Sequence, residues 1–244
     1  MKKATLFAVP ASHPSLAAEL MLRAKGIEYR RVDLVAVVHR GVLRALGFKG
    51  ITVPALRIDG RRVQGTRAIA EALEALRPDP PLFPSDPEER RAVDEAEEWG
   101  DQVWQPVPRR LVWAALERNR STLPTYLEGA KLGVPVPVAA RVGAPVIKAA
   151  VRANHASEEN VRNDLAALPA LINHVDTLLR LGTIGGVRPN VADFQIGTST
   201  ALLATLDDAR PMLAGHPALE HAQRIAPNYP GQTAKVFPEA WLQR

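Results

Sequence analysis

Four short groups of residues carry side-chain types that could do chemistry. Ser12-His13-Pro14-Ser15 lies directly ahead of a helix-forming run. Ser12 there is either a hydroxyl presented at the mouth of the helix or a loop serine tying the turn. Helix capping explains Ser15 equally well, and His13 either tunes a site or sits exposed in the loop. Val53-Pro54 precedes a strand, and trans is the default for such a bond. At Gly65-Thr66-Arg67, the Thr66 hydroxyl and nearby backbone N–H groups could hold a carboxylate at a helix start, although plain N-capping looks identical in sequence. Arg67 could recruit a charged ligand or be an ordinary surface arginine. Trp99, Trp104 and Trp113 could line an apolar acceptor pocket or simply pack in a core.

The chain contains no cysteine. It therefore has no disulfide, no thiolate metal ligand and no dithiol chemistry of its own. Thiol chemistry would have to come with a bound small molecule, and no metal is expected. The net charge of +5 raises nucleic acid or an anionic membrane as partners. The arginines are scattered among acids without interleaved aromatics, so a solvated surface is expected and no nucleic acid; part of the excess could attract a small acidic ligand. The first apolar segment is cut by Pro10 before it reaches signal-peptide length, which points to the cytoplasm.

These groups need elements to position them. Residues 4–9 form a short apolar run stopped by Pro10 and predict a strand. From Pro14, Leu16, Leu20 and Ala24 share one helical face, with Gly26 at the C-terminal cap. Residues 27–35 predict a second strand, and a short helix surrounds Val42, Leu43 and Leu46. Asp59-Gly60 between two β-prone runs is a strong hairpin signal, and a helix with Ile69, Leu73 and Leu76 inward runs from Thr66 to Pro78. The order is β-α-β-α-β-β-α over residues 1–78. The proline-rich residues 79–87 read as a linker, and residues 88–244 as an all-helical domain.

Within that domain Asp86, Pro87 and Glu89 start a long helix that Pro106 and Pro108 should kink or break. An apolar stretch at about 121–156 is broken by Gly133, Pro135, Pro137, Gly143 and Pro145, too short and interrupted to span a bilayer. It is expected to pack on the protein's own surface, with peripheral membrane contact as the less favoured reading. A helix from Ser157 carries an apolar stripe from Val161 to Leu179, where Pro169 would disturb a coiled coil. Asn190 and Asp193 form a capping box ahead of a nearly uncharged helix that should be central and buried. A last helix is expected over about 217–226, with the tail docking back.

The β-α-β-α-β-β-α order with Val53-Pro54 before the hairpin, followed by a linker and a helical domain, resembles the glutathione S-transferase family. Ser12 stands fourteen positions before Gly26 of Lys25-Gly26-Ile27-Glu28-Tyr29. That is the spacing of the active residue from its turn in Ser- and Cys-type members. Asn190-Val191-Ala192-Asp193 resembles the family's buried Ser/Thr-x-x-Asp box. The resemblance covers nearly the whole chain outside residues 121–156. One departure falls at the site: the family commonly has Glu-Ser where this chain has Gly65-Thr66, so the carboxylate that helps hold the amino end of glutathione is missing.

The resemblance implies a thioredoxin-like N-terminal domain and a helical-bundle C-terminal domain. It also implies a transferase that activates glutathione or another low-molecular-weight thiol for attack on an apolar electrophile, and a homodimer by family habit. Ser12 would donate a hydrogen bond to the thiol sulfur. A free thiol titrates near 8.5, and bringing it to about 6.5 takes roughly 2.7 kcal/mol. A hydrogen bond to a charged partner supplies about 1.5–3 kcal/mol and a helix N-terminus about 0.3–1, so the magnitudes suffice. By the same resemblance Pro54 would be cis, exposing the Val53 backbone for strand addition by a thiol peptide; Gly65, Thr66 and Arg67 would complete the thiol site. Two alternatives stand beside this reading. One is a non-catalytic binder of apolar ligands or proteins, favoured by Gly65. The other is a membrane-associated thiol-dependent isomerase like the prostaglandin synthase branch, against which the absence of a Cys-x-x-Cys motif weighs.

Overall fold

A computed structural model describes residues 4–132, Val138, Arg141 and residues 143–242. The sequence positions Gly133, Pro135 and Pro137, taken above as chain breaks, lie outside the described residues. The N-terminal part is a four-stranded mixed sheet flanked by three helices. Strand β1 (Ala4–Ala8) pairs in parallel with β2 (Tyr29–Asp33) and antiparallel with β3 (Ala55–Ile58), which pairs with β4 (Arg61–Gln64), giving the order β2-β1-β3-β4. Helices α1 (His13–Ala24), α2 (His39–Ala45) and α3 (Thr66–Leu76) follow β1, β2 and β4. This is the thioredoxin-like arrangement expected.

Every residue of β1 is buried, because the sheet is covered on both faces, which explains an unbroken apolar run in place of an alternating one. Leu6 and Leu56 pack with Met21 and Leu22 of α1 and Ile69 and Leu73 of α3, while Phe7 and Ala55 meet Leu43 and Phe48 on the other side. The β3–β4 turn has positive φ at both Asp59 (48°) and Gly60 (76°), the handedness that matches strand twist in a tight hairpin. A buried Lys25 closes the end of α1: its Nζ donates to Glu74 Oε2 at 2.5 Å and to the carbonyls of Pro78 and Pro80.

The second part is helical. It contains α4 (Pro87–Trp99), α5 (Pro106–Arg118), the short α6 (Leu123–Tyr126), α7 (Gly143–Ala153), α8 (Glu158–Arg180) and α9 (Val191–Leu203). The short α10 (Arg210–Leu213), α11 (Pro217–Ile225) and the short α12 (Glu239–Leu242) complete it. Where Pro106 and Pro108 predict a kink or break, the long helix is interrupted just ahead of Pro106 but the chain does not leave the helical course. A wide turn over Gly100–Trp104, closed by Gln105 N–H to Gly100 O at 2.8 Å, carries the chain helically from α4 into α5, because a wider turn absorbs the missing proline N–H. Pro169 likewise lies inside α8 without ending it. Helix α9 is buried at every position and packs against α1, α4, α5 and α11. Among the described residues no helix is long and apolar enough to cross a membrane.

Candidate active site

A cavity of about 580 Å³ opens between the two parts of the chain. Its floor is built by the turn before α1, the loop before β3 and the start of α3. Its walls come from α5, α6 and α7. Ser12, Val53, Pro54, Gly65 and Thr66 all line it, so the structure brings together five residues the sequence had placed far apart.

Ser12 is the N-cap of α1. Its Oγ accepts the Ser15 N–H at 3.4 Å and the Ser15 hydroxyl at 2.9 Å. Both bonds use the oxygen as acceptor, which leaves the Ser12 proton for a ligand, and both add partial positive charge behind it. The turn carrying Ser12 is held from the far end of the chain: Ala11 has φ 51° and its carbonyl accepts the Tyr229 hydroxyl at 2.5 Å. Sequence reasoning missed this tether, since nothing local links positions so far apart.

The Val53–Pro54 bond is cis, and Pro54 O accepts the Gly65 N–H at 3.0 Å. Among the described residues the Val53 N–H and C=O have no backbone partner, so an extended ligand can pair with this edge. Thr66 is buried and is the first residue of α3; the N-cap is Gly65, which offers no side chain. Plain capping by Thr66 is therefore not what the structure shows. The first amide in α3 to find a carbonyl is Ile69, at 3.1 Å from Gly65 O. The N–H groups of Thr66, Arg67 and Ala68 have no protein acceptor among the described residues, the state of any helix start without a side-chain cap, which an anion can meet.

His13 is buried rather than exposed in a loop. Burial, with the Arg109 charge adding, holds its imidazole well below the usual histidine range, while a hydrogen bond with the Gln105 backbone works the other way. The ring is therefore neutral at physiological pH, and among the described residues Nε2 has no partner. His39, also on the cavity wall, is lowered by burial and by Arg40, against hydrogen bonds with the Val35 and Ile51 backbone, and its Nδ1 is unpartnered. Two buried imidazole nitrogens without partners suit a cavity that takes a polar ligand.

Other expected residues lie elsewhere. Arg67 meets Glu71 of its own helix and Asp94 and Glu97 of α4, and does not line the cavity. Ser15 is buried behind Ser12. Of the three tryptophans only Trp113 lines the cavity. Trp104 is fully buried and its Nε1 donates to Thr200 Oγ1 at 3.1 Å, and Trp99 stacks on it and meets the His174 ring at a tilt of 51°. Asn190 and Asp193 do not line the cavity and act on α9: Asn190 Oδ1 accepts the N–H groups of Ala192 and Asp193, and Asp193 Oδ2 accepts the Asn190 N–H at 2.8 Å.

The acceptor side of the cavity comes largely from residues the sequence reading did not single out. One face of α5 presents Arg109, Val112, Trp113 and Leu116, and α7 faces it with Val146, Ile147 and Ala150. The three-and-four spacing of the α5 set was visible, but its prolines obscured it. The apolar stretch at 121–156 thus contributes a wall of the cavity through its described part.

Residues 6–81 match the model of the glutathione S-transferase N-terminal domain family. A maleylacetoacetate isomerase from Rattus norvegicus is 35% identical over 95 residues, which are 37% of this chain and 44% of that protein; the match spans less than half the length of this relative. A glutathione S-transferase from Rhodospirillum rubrum F11 superposes with a TM-score of 0.62 at 18% identity, over 93% of this chain and 88% of the other. One from Methylobacterium radiotolerans, solved with glutathione sulfonate, gives a TM-score of 0.54 at 19% identity, over 97% and 98%. At these identities the structural likeness is one of fold.

Proposed function

Because residues 6–81 match the glutathione S-transferase N-terminal domain family and the chain shares the fold of such transferases, we propose that it is a member of the glutathione S-transferase superfamily and a thiol-dependent transferase or isomerase. In this reading it holds glutathione, or a thiol of similar build, against an electrophile in the cavity beside Ser12. The observation that carries the reading is the Ser12 hydroxyl, which lines the cavity and, among the described residues, accepts two bonds from Ser15 and donates none. The bound thiol supplies a sulfur nucleophile. Ser12 donates to that sulfur and favours its thiolate, and the start of α1 adds a smaller electrostatic contribution. Val53 pairs with the extended backbone of the thiol. Thr66 and the open N–H groups of α3 take a carboxylate. The apolar walls exclude water from the sulfur and accept the electrophile. The relatedness to maleylacetoacetate isomerase makes reversible addition of the thiol one candidate outcome beside transfer.

Gly65 favours a second reading. With φ 91° and ψ 151° its backbone lies where essentially only glycine is comfortable. The family's carboxylate at this position is absent and a substitution would be strained. A protein that kept the cavity and lost the thiol would bind apolar ligands without turnover. Thermal stabilisation by glutathione and other small thiols, measured beside apolar ligands without a thiol, separates the two readings, because selective binding raises Tm by mass action. Stabilisation by thiols supports the enzyme; stabilisation by apolar ligands alone supports the binder. A homodimer and a cytoplasmic location are part of the proposal by family habit.

A further inference from the structure

Five arginines are half-buried among the described residues: Arg31, Arg67, Arg90, Arg109 and Arg110. Four of them have carboxylate partners. Arg31 pairs with Glu19 and Asp33, Arg67 with Glu71, Asp94 and Glu97, Arg90 with Asp94, and Arg110 with Asp164 through two bonds of 2.6 and 2.5 Å. Arg109 differs. Its hydrogen-bonded partner among the described residues is the neutral side-chain oxygen of Gln105. A half-buried cation matched only by an amide is costly in an empty apolar wall and becomes favourable when an anion arrives.

The surroundings fix its aim. Asp101 Oδ1 accepts Gln105 Nε2 at 2.6 Å and Gln195 Nε2 at 3.3 Å. Asp101 therefore orients the Gln105 amide with its oxygen toward Arg109, and a whole amide stands between the carboxylate and the guanidinium. Arg109 lines the cavity on the same helical face as Val112, Trp113 and Leu116. Burial lowers its basicity while Asp101 restores part and Arg110 opposes, which agrees with a cation that no carboxylate neutralises directly. Asp101, Gln105 and Arg40 also line the cavity. The α5 and α7 face on which Arg109 sits is otherwise formed by Val112, Trp113, Leu116, Val146, Ile147 and Ala150, and a charged group on a mainly apolar face orients an amphipathic ligand.

We propose that the cavity selects ligands with an apolar body and a carboxylate, and that Arg109, held by the Gln105–Asp101 relay, is the residue that binds the carboxylate. As a statement about the electrophile this rests on the thiol-dependent reading above; as a statement about binding it does not. The ligand's carboxylate replaces the water on the guanidinium, and its apolar part lies against α5 and α7.

The test uses a matched pair of probes, phenylbutanoate and phenylbutanol, titrated calorimetrically into the whole chain without any thiol. The acid is expected to bind at least about tenfold more tightly than the alcohol, the low end of what a charge-assisted hydrogen bond gives. Arg109→Gln should abolish that preference while leaving the alcohol's affinity unchanged, which also reports that the variant is folded. If Arg109→Gln loses both ligands, Arg109→Lys, which keeps the charge, must retain a preference for the acid. Equal binding of acid and alcohol by the wild type overturns the proposal. So does a preference that survives in Arg109→Gln, one lost in Arg109→Lys with the alcohol still bound, or one removed by Arg40→Gln at the other cation on the wall. Because no thiol is present, a negative result here leaves the thiol reading standing, and failure of thiols to bind leaves this result intact.

Discussion

At the start of α9, Asn190 takes the amides of Ala192 and Asp193, and Asp193 takes the amides of Asn190 and Gly185 and meets His221 Nε2 at 2.7 Å. At the start of α3, Gly65 offers no side chain, and Gly65 and Thr66 line the cavity. Both helices carry the same orphaned groups and the same positive end. One is closed by side chains of the chain itself, and the other has no side-chain cap. The start of α1 lies between these extremes: Ser12 caps it with its oxygen and keeps its proton. The difference teaches that the same helix end can be closed within the core or, beside a cavity, leave its first residues in the cavity lining.

The largest expected effect comes from breaking the closed cap. Asp193→Ala removes a fully buried carboxylate and strands the donors it satisfied, so denaturant unfolding should show a loss of about 3–5 kcal/mol. A loss under about 1 kcal/mol would mean the box is not what holds α9.

Next is the half-open cap. Ser12→Ala should lower turnover of a thiol-dependent reaction by about ten- to a hundredfold, matching about 1.5–3 kcal/mol of charge-assisted hydrogen bonding, with thiol binding little changed. Normal turnover in that variant would remove Ser12 from the chemistry.

At the open cap, Gly65→Ala isolates conformation from space. A Cβ there meets nothing within 4 Å, yet the backbone angles are unfavourable for alanine, so unfolding should show a loss of about 1–3 kcal/mol. An unchanged stability would show that the glycine is not needed for its backbone.

The smallest effect is on pH dependence. Because folding depresses the His13 imidazole, the unfolded chain binds a proton that the folded chain refuses in the window below about pH 6.5. Stability is complete above that value and falls on acidification through the window. His13→Asn should give a Tm that declines less steeply between about pH 7 and pH 5, and an identical slope in both proteins would contradict the assignment.

The fold was legible because local signals agreed. The Asp59-Gly60 hairpin, the Gly26 stop, the Asp86-Pro87 start and the uncharged run from Val191 each depend on a few adjacent residues. What escaped depends on tertiary placement. Pro106 and Pro108 predict a break unless one knows that the turn before them widens. Arg67 and Arg109 are indistinguishable in sequence, and only packing shows that α4 surrounds the first with carboxylates while the second faces the cavity. His13 follows a hydroxyl and precedes a proline, the pattern of an exposed loop, but α1 turns it inward. The Tyr229 tether to Ala11 has no sequence signal. Trp104 and Trp113 differ only in which face of the continuous helix they occupy.

The central claim is that Ser12 lowers the basicity of a bound thiol, and the direct measurement is the ultraviolet titration of the thiolate in the complex. In the wild type the bound thiol should ionise at about 6.5, near two pH units below its free value of about 8.5, and in Ser12→Ala it should return most of the way to that value. Identical titration midpoints in the two complexes would contradict the account.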